Sequence, residues 1–153
     1  MLIMTAKVNK TGLVIAIGSV VAVIALLLML FSSGGSEPTA VTDQAATNEE
    51  RIRFLSELGW QVSAAPAESS QIRIPREASQ VFDRYNQLQK SQGYDLTTYG
   101  GKTVTRYVYQ VTNYPGSTEP VYATLLVHRD RIIGGDITDT APGGKIRPLK
   151  QTP

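Results

Sequence analysis

The sequence predicts an α+β fold, in which one N-terminal transmembrane helix precedes a compact domain with an antiparallel sheet. Three observations lead to this prediction. Residues 12–31 are an uncharged apolar run of about twenty residues, and a helix rising ~1.5 Å per residue needs that length to cross a ~30 Å hydrocarbon core. Two stretches beyond residue 47 carry apolar side chains at the helical spacing of three to four. From Lys102 onward the apolar period changes to two, as in strands.

The apolar run from Gly12 to Phe31 predicts an uncleaved signal anchor and makes the lipid bilayer the first expected partner. A cleavable signal peptide is the alternative, but its apolar region usually has about 7–15 residues and precedes a small-residue cleavage site. Ser-Ser-Gly-Gly follows Phe31, and the nearby Glu37-Pro38-Thr39-Ala40 does not form the Ala-x-Ala pattern of a cleavage site. Because Lys7 and Lys10 precede the run and the next basic residue is Arg51, the N-terminus is expected in the cytoplasm and the rest outside the cell membrane.

The chain is expected to divide into five parts. Residues 32–47 are small and polar without a period, which is typical of a flexible linker. The predicted parts are a cytoplasmic tail over 1–11, the transmembrane anchor over 12–31, the linker over 32–47, an extracytoplasmic domain over 48–149 and a loose C-terminus over 150–153.

Composition excludes several classes of function for the predicted domain. Lys7 and Lys10 are two of the fifteen Lys and Arg residues, so the thirteen that follow Phe31 balance the thirteen Asp and Glu residues. A neutral domain has no electrostatic attraction for nucleic acid, and we expect none as a partner. The absence of cysteine excludes disulfides, thiol catalysis and thiolate metal sites.

The domain is expected to begin with a helix over residues 48–58. Thr47 and Glu50 fit a capping box, in which a hydroxyl residue is followed three positions later by Glu. Gly59 supplies the left-handed residue that ends such a helix, and Trp60 can fold back on its last turn. The apolar stripe of this helix consists of Ile52, Phe54, Leu55 and Leu58.

Two short strands and a second helix are predicted next. Residues 61–65 and 70–74 read as a hairpin around the turn at Ala65-Pro66-Ala67-Glu68. Pro75 suits the first turn of the following helix, which stops at Gly93. Its apolar stripe consists of Ala78, Val81, Phe82, Tyr85 and Leu88. Asp95 then caps a single turn before Gly100-Gly101.

Three strands complete the predicted order of helix, strand, strand, helix, strand, strand, strand. Short connections make Lys102–Thr112, Val121–His128 and Arg131–Ile137 an antiparallel meander. The assumed register places Thr112 opposite Val121 and His128 opposite Arg131. One face of the sheet is then the core face, which consists of Val104, Val108, Ala123, Leu125, Val127, Ile132 and Gly134. Arg106 and Gln110 also fall on this face and fit it poorly. The other face collects Thr103, Thr105, Tyr107, Tyr109, Val111, Tyr122, Thr124, Leu126 and Ile133.

The candidate binding surface lies on that second face. Aromatic and threonine side chains on a sheet can form a platform for a peptide or glycan, although strands favour the same residues and the first hairpin can cover them. The candidate residues are Tyr107, Tyr109 and Tyr122, together with Tyr94 and Asp95.

Catalytic and metal chemistry have little support in the sequence. His128 is the single histidine, and neither it nor the scattered carboxylates show metal-ligand spacing, so we expect no metal and no cofactor. The alternative to a binding module is a small envelope hydrolase using Asp95 and Asp136, which requires the two carboxyl groups within ~10 Å in one cleft. A structural interpretation competes with it, since Asp95 caps a turn and Asp136 follows Gly134-Gly135 at a strand end.

Several short motifs are spread over about residues 50–149. They are Phe54-Leu55, Gly59-Trp60, Ile74-Pro75, Tyr85-Asn86-Gln87-Leu88-Gln89, Gln92-Gly93-Tyr94-Asp95-Leu96, Val111-Thr112-Asn113-Tyr114-Pro115 and Ile133-Gly134-Gly135-Asp136. Together these motifs resemble domain-of-unknown-function family 4830. The resemblance implies a shared fold and a cell-envelope location, as in short membrane-anchored proteins of Gram-positive bacteria, and it implies no activity. We expect a non-enzymatic, membrane-tethered extracytoplasmic module that binds an envelope protein or glycan.

Overall fold

A computed structural model describes residues 43–150, which form an antiparallel five-stranded sheet with two helices. The strands lie in the order β1-β2-β3-β4-β5. The predicted membrane anchor over 12–31 lies outside the described residues, and no helix within them has the length and apolarity to cross a bilayer. The elements are α1 Asn48–Glu57, β1 Glu68–Arg73, α2 Gln80–Lys90, a 3-10 turn Leu96–Tyr99, β2 Thr103–Val111, β3 Val121–His128, β4 Arg131–Asp139 and β5 Ile146–Arg147.

Helix α1 follows the predicted local signals closely. Thr47 Oγ1 accepts from the backbone N–H of Glu50 at 3.2 Å, and Glu50 Oε2 accepts from the backbone N–H of Thr47 at 3.0 Å, which completes the capping box. Gly59 has a φ of 90°, and the N–H of Trp60 returns to the carbonyl of Leu55 at 2.9 Å. The predicted first helix is therefore confirmed.

Helix α2 begins later than predicted. Its N-cap is Ser79, whose side chain accepts from the N–H of Phe82 at 3.2 Å, so Pro75 lies outside the helix. Ile74 is held in the sheet by a bond from its N–H to the carbonyl of Lys102 at 3.0 Å. Residues 75–79 then carry the chain from the edge strand β1 onto the sheet face, and the helix starts only where that crossing ends.

The predicted first hairpin is wrong, because the chain does not reverse at residues 65–68. Val62 forms an isolated bridge with Val111, near the end of β2. β1, which follows Val62 in the sequence, pairs with β2 from Val108 back to Thr103. Both segments therefore run in one direction along the same edge of β2. Pro66 lies at the break between them, where a residue without an N–H cannot continue the ladder.

The predicted register of β2 on β3 is wrong by one residue. Val111, rather than Thr112, lies opposite Val121, whereas the predicted pairing of His128 with Arg131 is confirmed. Since strand side chains alternate, a shift of one residue moves every β2 side chain to the other face relative to β3. Arg106 and Gln110, which fitted the predicted core face poorly, now lie on the same face as Tyr122, Thr124 and Leu126.

The sheet carries a core on each face. The larger core packs under α1 and consists mainly of Phe54, Leu55, Trp60, Tyr109, Val111, Ala123, Leu125, Val127, Ile137 and Leu149. The smaller core lies under α2 and the 3-10 turn and consists of Ile74, Leu96, Val104, Leu126 and Ile133. Gly134 allows α2 to approach closely, because an added Cβ would lie 2.9 Å from Gln89 Oε1.

Both ends of the described chain pack against the sheet. Residues 43–46 were predicted as linker, yet Ala45 is buried and its N–H donates to the carbonyl of Asp130 at 2.9 Å. At the other end, in a stretch expected to be irregular, β5 pairs with β4. The carbonyl of the buried Leu149 accepts from Trp60 Nε1 at 2.7 Å, and its N–H donates to Gln92 Oε1 at 2.7 Å.

Candidate functional site

Two of the predicted platform tyrosines belong to the interior of the domain. Tyr109 is 0% exposed, and its hydroxyl donates to Asn48 Oδ1 and accepts from Arg51 Nε, both at 2.9 Å. Tyr107 is partly buried beneath the guanidinium of Arg51, which lies 3.8 Å from its ring centroid. The cover is α1 rather than the predicted hairpin, so Tyr107 and Tyr109 do not form an open platform.

The remaining predicted residues lie in two other places. Tyr122 lies on the opposite face of the sheet from Tyr107 and Tyr109. Tyr94 and Asp95 line a depression of about 410 Å³ beside Asp43, where Tyr94 Oη donates to Asp43 Oδ1 at 3.3 Å. The structure therefore divides the predicted surface into three separate environments.

Asp95 acts as the predicted turn cap. Its Oδ1 accepts from Thr97 Oγ1 at 2.6 Å, from the N–H of Thr97 at 3.0 Å and from Asn86 Nδ2 at 3.0 Å. These bonds hold the pKa of Asp95 well below its usual range, and the bond from the Thr97 hydroxyl has the largest effect. Lys90 Nζ lies 3.4 Å from Asp95 Oδ2. This carboxylate is fully used in connecting α2 to the 3-10 turn.

The lowered pKa of Asp95 predicts a contribution to acid unfolding. A carboxyl group whose pKa is lower in the folded state stabilises the fold above its unfolded pKa of ~4, and that stabilisation is lost as the pH falls through the folded value. We expect Asp95→Asn to unfold at a lower temperature than the native chain at about pH 7. Between about pH 4 and about pH 2, its melting temperature should fall by less than that of the native chain. Thermal unfolding across this range, with Asp130→Asn in the exposed turn as the control, measures the difference; equal slopes for Asp95→Asn and the native chain would contradict it.

The feature that the sequence reasoning missed is a cavity of about 330 Å³ on the face that carries α2. Its wall is largely apolar, and polar side chains from four strands and α2 contribute to its lining. The apolar lining includes Ile72, Ile74, Phe82, Leu96 and Leu126, and the polar lining includes Arg73, Tyr85, Arg106, Thr124, Asp136 and Thr138.

Asp136 is the central polar group of this cavity. It is 4% exposed, and its two carboxyl oxygens accept from Tyr85 Oη and Thr138 Oγ1, each at 2.7 Å. Burial raises the pKa of Asp136 against the lowering effect of these bonds and of Arg106. Burial, and then the charge of Asp136, raise the pKa of Tyr85 as well. Arg106 itself is paired with Glu68 Oε1 at 2.8 Å, so Asp136 has neutral donors as its direct partners.

The cavity continues into two neighbouring depressions. One is lined by Glu68, Arg106, Tyr122, Thr138 and Thr140 among others, and it shares Arg106, Thr124 and Thr138 with the cavity. The other is an apolar mouth lined by Val81, Arg84, Tyr85, Leu88 and Ile146. Val81 and Ile146 are 80% and 55% exposed. We call the cavity and these two depressions the α2-face groove.

The groove does not contain the predicted pair of carboxylates. Asp136 lines it, whereas Asp95 lines the separate depression beside Asp43. No group of His, Asp and Glu side chains within residues 43–150 is arranged to hold a metal ion. The cavity therefore combines a largely apolar wall with one buried carboxyl group, the composition that ligand pockets usually have.

Three comparisons with known proteins bear on the chain. A family model described as "Domain of unknown function (DUF4830)" matches residues 54–137. No curated protein and no solved structure matches the chain. The matched range begins within α1 and ends within β4, and it includes the groove residues Tyr85, Arg106 and Asp136.

Proposed function

We propose that this chain, which belongs to the DUF4830 family of domains of unknown function, is a non-enzymatic binding module of the cell envelope. Residues 12–31 tether it to the membrane with the N-terminus in the cytoplasm and the folded domain outside. The apolar run and the lysines that precede it support this placement. The domain binds an exposed segment of a partner protein through the α2-face groove.

One observation carries the binding proposal, namely an open apolar cavity with a buried carboxylate in its wall. A volume of about 330 Å³ lies in the ~300–1,000 Å³ range of ligand pockets, which are mostly apolar with a few convergent polar groups. Asp136 receives only hydroxyl donors from the domain, so an ammonium or guanidinium group of a partner would be the first charged hydrogen-bond donor to this carboxyl group.

The surroundings of the cavity favour a protein segment over a glycan. Val81 and Ile146 place exposed aliphatic surface at the mouth, and Arg106 and Glu68 place charged groups on the other side. An apolar centre with a polar rim is the usual anatomy of a protein interface. The alternative of an envelope hydrolase used Asp95 together with Asp136, and Asp95 lines a separate depression rather than the cavity.

The proposal predicts a specific contact at the groove mouth in intact cells. A photo-reactive side chain at Arg84, which lines the mouth, should form an adduct with one envelope protein. The same side chain at Glu57, exposed at the end of α1, is the matched control and should not form it. Val81→Glu in the Arg84-labelled chain should abolish the adduct, since it places a charge on the apolar mouth.

The captured protein, once purified, allows affinity to be measured directly. We expect Val81→Glu and Asp136→Asn each to weaken its binding by at least ~10-fold, which corresponds to ~1.4 kcal/mol. Val81 is 80% exposed, so its replacement should leave the melting temperature unchanged. Native affinity in both variants would rule out the groove, and an adduct with glycan in place of protein would rule out the proposed class of partner.

A further inference from the structure

The charged side chains of the described domain are segregated between the two ends of the sheet. The pairing places the end of β1, the start of β2, the β3–β4 turn and the start of β4 at one end. Five exposed basic residues lie there, namely Arg73, Arg76, Lys102, Arg129 and Arg131, against the acidic Asp43, Glu77, Asp95 and Asp130, of which Asp95 is paired with Lys90. We call this the basic end. The opposite end carries the acidic Glu68, Glu119 and Asp139 against Lys145 and Arg147.

Local structure presents the basic side chains outward. Arg129 and Asp130 have φ angles of 47° and 62°, so they form a tight two-residue turn that projects from the sheet. Lys102 Nζ lies 5.2 Å from the ring centroid of Tyr99, and that ring meets His128 edge-on at 5.4 Å. An aromatic ring among Lys and Arg side chains is the composition found where proteins meet membrane headgroups.

The chain enters the domain at the same end. The N–H of Ile132 donates to the carbonyl of Asp43 at 2.8 Å, and the N–H of Ala45 donates to the carbonyl of Asp130 at 2.9 Å, so the incoming segment is bonded to the β3–β4 turn. In the sequence, residues 32–42 separate this point from the end of the predicted anchor.

We propose that the basic end docks on an anionic lipid surface. The inference rests on the proposed membrane tether, which would keep the basic end close to lipid headgroups at high effective concentration. Lys and Arg side chains near an anionic leaflet are attracted to its headgroups, and the attraction fades beyond a Debye length of ~8–10 Å. Because the charges after Phe31 balance overall, this attraction depends on their segregation and acts on one end of the domain.

Lipid docking can be measured on the full chain, which contains no cysteine and so accepts a single labelled one. Thr98→Cys places a fluorophore beside the basic end, and Thr118→Cys places one in the loop at the opposite end. Energy transfer to headgroup-labelled lipid is compared in vesicles of phosphatidylcholine with and without phosphatidylglycerol. We expect phosphatidylglycerol to increase transfer from position 98 but not from position 118, and high salt to reverse the increase.

Charge-reversal variants identify the surface responsible. Lys102→Glu, Arg129→Glu and Arg131→Glu combined should remove the increase at position 98, whereas Lys145→Glu with Arg147→Glu should leave it intact. If the chain floats with neutral vesicles but energy transfer from position 98 is equal with and without phosphatidylglycerol, docking is overturned and the membrane tether is supported. A chain that floats only with phosphatidylglycerol vesicles, in a salt-sensitive way, supports docking and overturns the tether. A chain that floats with neither overturns both.

Discussion

Replacing Leu149 by alanine is expected to lower the free energy of unfolding by about 2–5 kcal/mol, the usual cost of truncating a fully buried leucine. Leu149 is 0% exposed and belongs to the core under α1. Its Cδ1 lies 2.6 Å from where a Cβ of Gly135 would be, so the side chain fills the space that this glycine leaves on the sheet. Although it lies close to the end of the sequence, Leu149 therefore behaves as a core residue.

Chemical denaturation of three variants tests this expectation. Ile146→Ala, in the same C-terminal segment but 55% exposed, should change the free energy of unfolding by less than ~0.5 kcal/mol. Leu149→Met keeps the volume and should cost less than ~1.5 kcal/mol. If Leu149→Ala proved as mild as Ile146→Ala, the C-terminal segment would not be part of the folded core.

Arg51 is the second position where we expect a large loss of stability. This buried guanidinium donates to Tyr109 Oη at 2.9 Å and to the carbonyls of Ala45 and Ala46 at 2.8 and 3.2 Å. It also covers the ring of Tyr107. We expect Arg51→Met to lower the free energy of unfolding by roughly 2–4 kcal/mol, because the buried carbonyl of Ala45 and the buried hydroxyl of Tyr109 lose a charged donor. Arg51→Lys should recover little, since an ammonium lacks the planar fork that reaches these partners together.

A second readout separates this role from general core damage. Arg51 holds the segment that enters the domain against β4, so its replacement should speed hydrogen exchange at the amides of Ala45 and Ile132, which bond across that junction. Arg53→Met, on the exposed side of the same helix, is the matched control. Unchanged exchange at both amides in Arg51→Met would show that the entering segment is held by other contacts.

The parts of the fold that sequence reasoning predicted correctly are those specified by local chemistry. Thr47 and Glu50 cap α1, Gly59 ends it, and Asp95 caps the turn that follows α2, each within a few residues of its partner. Side-chain caps and left-handed glycines act over one helical turn, so their outcome depends little on the rest of the chain. The change of apolar period at Lys102 located the meander for the same reason.

The errors arose where an outcome depended on distant parts of the chain. The pairing of β2 with β3 is set across the loop of residues 113–120, and the predicted pairing was wrong by one residue. That error placed Tyr107 and Tyr109 on a predicted open platform, whereas they lie in the core under α1. The awkward positions of Arg106 and Gln110 on the predicted core face were the available warning. Pro66 was interpreted as a turn residue, although it equally suits a break in an edge strand.

The groove was out of reach for a related reason. Tyr85 on α2, Arg106 on β2 and Asp136 on β4 are far apart in sequence and meet only through the packing of α2 on the sheet. The aspartate between Gly135 and Ile137, in the middle of β4, was the one local sign of a buried polar site. Its partner Tyr85 was assigned to the apolar stripe of the helix. The ring does belong to that stripe, but the hydroxyl donates a hydrogen bond to Asp136.

The interrupted path of the chain along β2 has a consequence for how the protein behaves at high concentration. Segments at both ends of the described chain pair with β4, which leaves β1 as the long exposed edge within residues 43–150. An exposed strand edge invites the same edge of another molecule to stack on it, the first step toward aggregates. The break at Pro66 shortens that edge, and the charged side chains of Glu68 and Arg73 disfavour pairing with another strand. The domain should therefore resist aggregation even at high concentration.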